Sequence, residues 1–129
     1  MIVVDTNVIA HLLLPGELNV EAIWLQDTDP EWAAPFLWRS EFRNVLATRM
    51  RRRLVTYEQA NALAAEAEAL LSDREYMVAS PPVLELVTHS DCTAYDCEFV
   101  ALALQLDVQL VTTDQQVLRA FPGIAVPFG

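Results

Sequence analysis

Four acidic residues occupy positions from which carboxylates could act together on a substrate: Asp5, Glu41, Asp96 and Asp114. Asp5 follows the apolar run at residues 2–4, and Asp114 follows a second apolar run at residues 108–112. Both runs are typical of buried parallel strands. The carboxyl ends of parallel strands lie along one edge of a sheet, where ligands bind in open α/β folds. We therefore predict that Asp5 and Asp114 are neighbours, although 109 positions separate them.

The other two acids are predicted to lie on helices. The apolar spacing over residues 37–52 is helical and places Glu41 beside Trp38 and Val45, at the border of the apolar stripe. A carboxylate there is costly unless it is paired or bound to a metal. Asp96 follows Thr93 by three residues, a spacing typical of helix capping, so capping alone would explain it. Capping of the next helix is also an alternative role for Asp5.

A shared site for these carboxylates would need a cation. Carboxylates brought together raise one another's pKa values and destabilise the fold by repulsion. A divalent cation removes that conflict, and hard oxygen ligands at an open site suit Mg²⁺ or Mn²⁺. Such a site activates water and stabilises the charge of a phosphodiester during hydrolysis. The acids therefore point to metal-assisted phosphodiester chemistry.

The elements that would position these acids alternate between strands and helices. We expect strands at residues 2–4, 32–35, 76–78, 108–112 and 124–126, and the longest helices at residues 37–52, 56–71 and 93–106. Alternation with crossover connections predicts a parallel sheet covered by helices on both faces, in a single domain over residues 1–129. Pro35 favours an edge position for the second strand. In the helix at residues 18–26, Val20, Ile23 and Trp24 share one face.

Composition excludes several rival acid-rich folds. The chain has 18 acids and 8 bases, a net charge of −10, and every base is an arginine. Without lysine, receiver domains and haloacid-dehalogenase-type phosphatases are excluded, and three glycines are too few for a P-loop enzyme. Such acidity also disfavours broad nonspecific binding to polyanions. A nucleic-acid substrate would require a metal ion or a partner to offset the charge.

Cysteine usage and hydropathy indicate the compartment. Cys92 and Cys97 are five residues apart beside a predicted helix, an awkward geometry for a disulfide, so we expect free thiols. No apolar run approaches the roughly 18 residues of a membrane span, and the N-terminus lacks the basic region of a signal peptide. A cytoplasmic protein without a membrane segment is the prediction.

Four motifs resemble those of the PIN-domain nucleases. They are VVDTNV at residues 3–8, Glu41 on the third helix, TAYD at residues 93–96 before an alanine-rich helix, and LVTTD at residues 110–114. The length and spacing are similar to those of the VapC-type toxins of bacterial toxin–antitoxin pairs. The resemblance spans the whole chain and is carried by these motifs in this order.

The resemblance implies a three-layer α/β/α sandwich around a parallel sheet, and Mg²⁺- or Mn²⁺-dependent endonucleolytic cleavage of RNA. Carried over by position, the metal ligands or water activators are Asp5, Glu41, Asp96 and Asp114. Asn7 and Thr112 would orient those carboxylates through hydrogen bonds. A cognate antitoxin and a homodimer are the implied protein partners. Asp91 and Glu98 add negative charge near Asp96, which bears on substrate affinity more than on fold.

Two further questions stay open at this level. Six of the eight bases lie close together, at Arg39, Arg43, Arg49, Arg51, Arg52 and Arg53. They fit a solvated helix end, an RNA contact or an antitoxin docking surface. The alternatives to a toxin are a noncatalytic PIN-like scaffold or regulatory partner, and an RNA-processing PIN nuclease without an antitoxin.

Overall fold

A computed structural model of the protein describes residues 1–128 and contains a five-stranded sheet. The strands are β1 (Ile2–Val4), β2 (Trp32–Pro35), β3 (Glu75–Tyr76), β4 (Leu110–Val111) and β5 (Ala125–Val126). All the strand pairs are parallel, in the order β3-β2-β1-β4-β5. The central strand β1 pairs Val4 with Val111 of β4, which confirms that the strands preceding Asp5 and Asp114 are neighbours.

Helices connect and cover the strands. They are α1 (Thr6–Leu13), α2 (Asn19–Thr28), α3 (Leu37–Arg51), α4 (Tyr57–Leu70), α5 (Ser80–Thr88), α6 (Ala94–Leu106) and α7 (Gln115–Ala120). Helix α6 packs across β1, β2 and β4, whereas α1 packs against α2, α3 and α4. The predicted α/β/α architecture with a parallel sheet is confirmed. No helix within residues 1–128 has both the length and the apolar character needed to cross a bilayer.

Local sequence accounts for the best-defined elements. Every residue of β1 is buried, as expected for a central strand covered on both faces. Helix α4 begins with a capping box in which the Thr56 hydroxyl accepts a hydrogen bond from the Gln59 amide at 3.1 Å and the Gln59 side chain accepts one from the Thr56 amide at 2.8 Å. Cys92 and Cys97 are buried free thiols, as predicted.

The predicted edge position of the second strand is wrong. Strand β2 lies between β1 and β3, so it has a neighbour on each side. Pro35 is tolerated because it is the last residue of β2 and its nitrogen faces away from β3. The amides that bond toward β3 are those of its neighbours, Ala34 to the Arg74 carbonyl at 3.1 Å and Phe36 to the Tyr76 carbonyl at 3.0 Å.

The expected bounds of β3 and β4 need correction. Strand β3 covers Glu75–Tyr76, one residue earlier than predicted and shorter, and β4 is limited to Leu110–Val111. On α2, the face with Val20, Ile23 and Trp24 is exposed, with 73%, 45% and 66% of their surfaces accessible, and Ala22 faces the core.

Candidate active site

A cavity of about 510 Å³ opens at the carboxyl edge of the sheet, and the predicted acids line it together. These are Asp5, Glu41, Asp96 and Asp114. They arrive from the end of β1, from α3, from the first turn of α6 and from the residue before α7. The structure therefore gathers carboxylates from four separate segments of the chain into one cavity.

Asp5 is held by hydrogen bonds on both carboxylate oxygens. Its Oδ1 accepts the Thr6 amide at 2.8 Å, which caps α1, and its Oδ2 accepts the Thr112 hydroxyl at 2.7 Å. Burial raises the pKa of Asp5, and nearby Asp96 and Asp114 raise it further, against the hydrogen bonds from Thr112 and Thr6. The fold thus orients this carboxylate while its surroundings disfavour its charge.

Glu41 is anchored by a residue adjacent to Asp5. The Thr6 hydroxyl, itself buried, donates to Glu41 Oε1 at 2.8 Å and ties α3 to the start of α1. Burial raises the pKa of Glu41, opposed by this hydrogen bond and assisted by the charges of Asp5, Asp96 and Glu98. Glu41 therefore lies in a partly desolvated, negatively charged environment, as its place beside the apolar stripe predicted.

The remaining two acids, Asp96 and Asp114, differ in their part in helix capping. Asp114 is a true cap: its Oδ1 accepts the amides of Gln116 at 2.9 Å and Val117 at 3.3 Å at the start of α7. Helix α6 is capped by Thr93, whose hydroxyl accepts the Asp96 amide at 3.1 Å. Within residues 1–128 the Asp96 carboxylate accepts no hydrogen bond, so capping does not explain that side chain.

Asn7 and Thr112 lie where the resemblance placed them, beside Asp5. Asn7 Nδ2 approaches Asp5 Oδ2 at 3.4 Å, and its Oδ1 accepts the Thr113 amide at 3.5 Å. The Thr112 oxygen, which donates to Asp5, also accepts the Asp114 amide at 3.0 Å. Thr112 therefore links the ends of β1 and β4, and their two acids, through one hydroxyl.

No basic side chain of the described residues lines this cavity. Arg39, on the same helix as Glu41, is directed elsewhere: its Nε and Nη2 donate to Glu75 at 2.6 and 2.7 Å. Of the other clustered arginines, Arg49 is half-buried and the rest are exposed, namely Arg43, Arg51, Arg52 and Arg53. The described side chains of the cavity wall therefore supply no positive charge to balance the carboxylates.

The carboxylate oxygens of the cavity are of the type that binds a hard divalent cation, although they are not yet close enough to one another to coordinate it. Across residues 1–128, no three His, Cys, Asp or Glu side chains stand close enough to form a ready metal site. The chemistry is nevertheless suitable, because carboxylate oxygens line one open cavity and burial disfavours the charge of Asp5 and Glu41.

Sequence reasoning missed part of the cavity wall. Ser40, Asn44 and Tyr95 line it, and Thr6 supplies the hydroxyl that holds Glu41. Asn44 could have been found, because a residue three positions from Glu41 lies on the same side of the helix, whereas Ser40, one position away, could not. Tyr95 and the Thr6 contact depend on packing between distant segments, which the sequence pattern does not encode.

A family model described as the PIN domain matches residues 2–123. The chain belongs to the PIN domain family. The family resemblance inferred from the four motifs is therefore confirmed. Nucleases of this family generally depend on a divalent metal, which agrees with the carboxylate donor set of the cavity.

Three relatives of this PIN domain are informative. It is 28% identical over 129 residues to Ribonuclease VapC3 of Pyrobaculum aerophilum, with 98% of each chain covered. Its fold is similar to that of FitAcB from Neisseria gonorrhoeae, with a TM-score of 0.73 and 21% identity over 93% of this chain and 92% of the other. A toxin–antitoxin complex from Klebsiella pneumoniae gives a TM-score of 0.72 and 16% identity over 98% and 96%.

Proposed function

We propose that this PIN domain is a Mg²⁺- or Mn²⁺-dependent endoribonuclease and the toxin of a toxin–antitoxin pair. The observation that carries the proposal is the single cavity with carboxylates from four chain segments and no cation in its wall. The full-length similarity to Ribonuclease VapC3 supports RNA as the substrate. Hydrolysis of phosphodiester bonds is the reaction that such a site performs best.

The metal would be held by carboxylate oxygens of Asp5, Glu41, Asp96 and Asp114. When bound, a divalent ion supplies charge neutralisation at the phosphate and lowers the pKa of water. Asp96 has the most freedom to rotate inward, since its carboxylate accepts no hydrogen bond within residues 1–128. Mg²⁺ and Mn²⁺ suit these ligands because both prefer oxygen donors and keep open positions for water and phosphate.

The protein side chains orient the reacting groups. Thr112 and Asn7 fix the Asp5 carboxylate, and Thr6 fixes Glu41 through one oxygen, Oε1. The other oxygen of Glu41, Oε2, is then free to face either the metal or the attacking water.

The proposed protein partners would cover the exposed arginines at the end of α3 and the exposed apolar face of α2. A cognate antitoxin is supported by the fold shared with the Klebsiella pneumoniae toxin–antitoxin complex. The exposed arginines at the end of α3 are candidate contacts for RNA or for that antitoxin. We also propose a homodimer that covers the apolar face of α2 formed by Val20, Ile23 and Trp24. A cytoplasmic location stays a prediction.

Metal-dependent RNA cleavage by purified protein tests the function. We expect cleavage of fluorescent RNA with Mg²⁺ or Mn²⁺ and none with a chelator. Asp5→Asn and Asp96→Asn should each lower the rate roughly 100- to 1,000-fold, because several kcal/mol of charge stabilisation is lost. The matched control is Asp73→Asn, an exposed acid before β3 and outside the cavity, which should keep full activity.

The outcomes separate the alternatives. Metal-dependent cleavage that survives both cavity substitutions would overturn the proposed site. A folded protein that cleaves no RNA would favour the noncatalytic scaffold. Cleavage by a protein whose gene lacks a small neighbouring gene for a DNA-binding antitoxin would favour RNA processing over a toxin.

A further inference from the structure

Tyr95 is an aromatic residue of the acid cavity whose side chain has no evident role in stabilising the fold. Tyr95 lines the cavity and leaves 61% of its surface exposed. Its side chain forms no hydrogen bond with the rest of residues 1–128. It lies one residue before Asp96 in the first turn of α6, which Thr93 caps. The backbone that carries Tyr95 is therefore fixed at the start of α6, while its exposed side chain is available to a ligand in the cavity.

The other tyrosines show that this placement is particular to Tyr95. Tyr76 is half-buried and packs against the hydrophobic core. Tyr57 is 65% exposed at the start of α4, but it does not line the acid cavity. A single exposed aromatic residue needs no explanation by itself. Tyr95 differs from Tyr57 because its ring borders a cavity equipped for phosphodiester chemistry.

The wall contributed by α3 lacks charge apart from Glu41. It carries Leu37 and Val45 as apolar side chains, and Ser40 and Asn44 as neutral hydrogen-bonding groups. A cavity lined by carboxylates, one tyrosine and neutral side chains suits a nucleotide. The phosphate of the nucleotide can approach a metal held by the carboxylates, and its flat, uncharged base can contact the tyrosine and the neutral side chains. The volume of about 510 Å³ lies within the roughly 300–1,000 Å³ typical of small-molecule sites.

We propose that the Tyr95 ring stacks on the nucleobase next to the scissile phosphate and forms a base-binding subsite of this cavity. Tyr95 and Asp96 line the same cavity of about 510 Å³, so a base on Tyr95 would belong to a nucleotide close to the phosphate at the acids. Stacking accepts every base because each has a π face, so the subsite contributes affinity with little sequence preference. This inference rests on the proposed ribonuclease function.

Steady-state kinetics of three variants test the subsite. Tyr95→Ala should raise KM for a single-stranded RNA about 5- to 150-fold, the range expected for loss of one base–aromatic stack, while kcat changes less than about threefold. Tyr95→Phe keeps the ring and should behave like wild type. Tyr57→Ala removes a tyrosine of similar exposure outside the cavity and should leave KM unchanged.

RNA substrates with one base removed identify the nucleotide. Removing the base that stacks on Tyr95 should raise the wild-type KM by the same factor as Tyr95→Ala. Combining the abasic substrate with Tyr95→Ala should add no further loss, because both changes delete the same interaction.

Three results would overturn the subsite. The first is an unchanged KM for Tyr95→Ala with wild-type cleavage intact. The second is a Tyr95→Phe variant as impaired as Tyr95→Ala, which would assign the effect to the hydroxyl. The third is full additivity between Tyr95→Ala and every abasic position. Each of these leaves the ribonuclease proposal standing, whereas absence of wild-type RNA cleavage would overturn both proposals.

Discussion

Partly buried acids in two regions of this protein differ in whether a basic side chain compensates their charge. Glu75, on β3, has a side chain only 10% exposed and is paired with Arg39 through two hydrogen bonds of 2.6 and 2.7 Å. Trp38 Nε1 also donates to it at 2.8 Å. The Arg39 hydrogen bonds hold the pKa of Glu75 below its usual range, against the effect of burial. This acid is fully compensated inside the fold.

The acid cavity lacks that compensation. Burial and neighbouring carboxylates raise the pKa values of Asp5 and Glu41, and no arginine lines the cavity among the described residues. Their hydrogen bonds come from the neutral hydroxyls of Thr112 and Thr6. Glu75 is therefore compensated within the chain, whereas the cavity acids are not compensated by any described side chain, which is the basis for proposing a cation there.

The largest expected difference between the two regions is in activity. Asp5→Asn should reduce RNA cleavage roughly 100- to 1,000-fold, since the metal loses a charged ligand. Glu75→Gln should retain kcat within a few-fold at a temperature where it is folded, because Glu75 lies outside the cavity. Rate measurements on both variants at saturating Mg²⁺ check this. Equal losses would mean that the Glu75 network also determines catalysis.

For stability we expect the reverse: Glu75→Gln should have a larger effect than Asp5→Asn. Glu75→Gln should lower the free energy of unfolding by about 1–3 kcal/mol, because Arg39 loses its charged partner in a partly buried network. Metal-free Asp5→Asn should be as stable as wild type or more stable, since it removes a charge that its surroundings disfavour. Urea denaturation of the metal-free proteins measures both. A large loss for Asp5→Asn alone would contradict the comparison.

The pH dependence of stability should also differ in sign. The folded pKa of Glu75 lies below its ordinary 4.5, so its contribution is present above that value and is lost as pH falls through the folded pKa. The stability gap between wild type and Glu75→Gln should therefore shrink from about pH 7 to about pH 3. For Asp5 the folded pKa lies above 3.8, so Asp5→Asn should gain relative stability as pH rises. Thermal melts of wild type and both variants across this pH range measure these stability differences. A difference that changes with pH in the opposite direction would contradict the prediction.

The smallest expected effect concerns the arginines on α3. Arg51 follows Asn44, which lines the cavity, by two helical turns, so it continues the same face about 10 Å further along. Arg43 is turned about 100° away from Asn44. We expect Arg51→Gln to raise KM for RNA two- to fivefold and to reduce its salt dependence, and Arg43→Gln to have little effect. Equal effects of the two substitutions would indicate that the arginines act only through their overall positive charge, and not through RNA bound along one face of α3.

Much of the fold could be predicted because it is encoded locally. The run at residues 2–4 followed by Asp5, and the capping box of Thr56 and Gln59, specify β1 and α4 without reference to the rest of the chain. Strand β3 could not be placed correctly, because its bounds are set by pairing Ala34 with Glu75 and Pro35 with Tyr76. The edge position expected for β2 was wrong for the same reason, since strand order is a tertiary property.

The candidate site divides in a similar way. Asp5 and Asp114 could be predicted as neighbours from the ends of two apolar runs, and Glu41 from its awkward place beside an apolar stripe. The contacts that orient them could not be derived from pattern, because Thr6 and Glu41 are 35 positions apart and Thr112 and Asp5 are 107 apart. The exposure of Tyr95 likewise depends on how α6 packs.

Calorimetric titration of Mn²⁺ into the protein tests most directly whether the acid cavity takes its cation from solution. Wild type and Glu75→Gln should bind the ion saturably, because both keep the acids that line the cavity. Asp5→Asn should bind at least tenfold more weakly, consistent with loss of a carboxylate ligand. Binding of equal strength by wild type and Asp5→Asn, or no binding by wild type at millimolar Mn²⁺, would contradict the account.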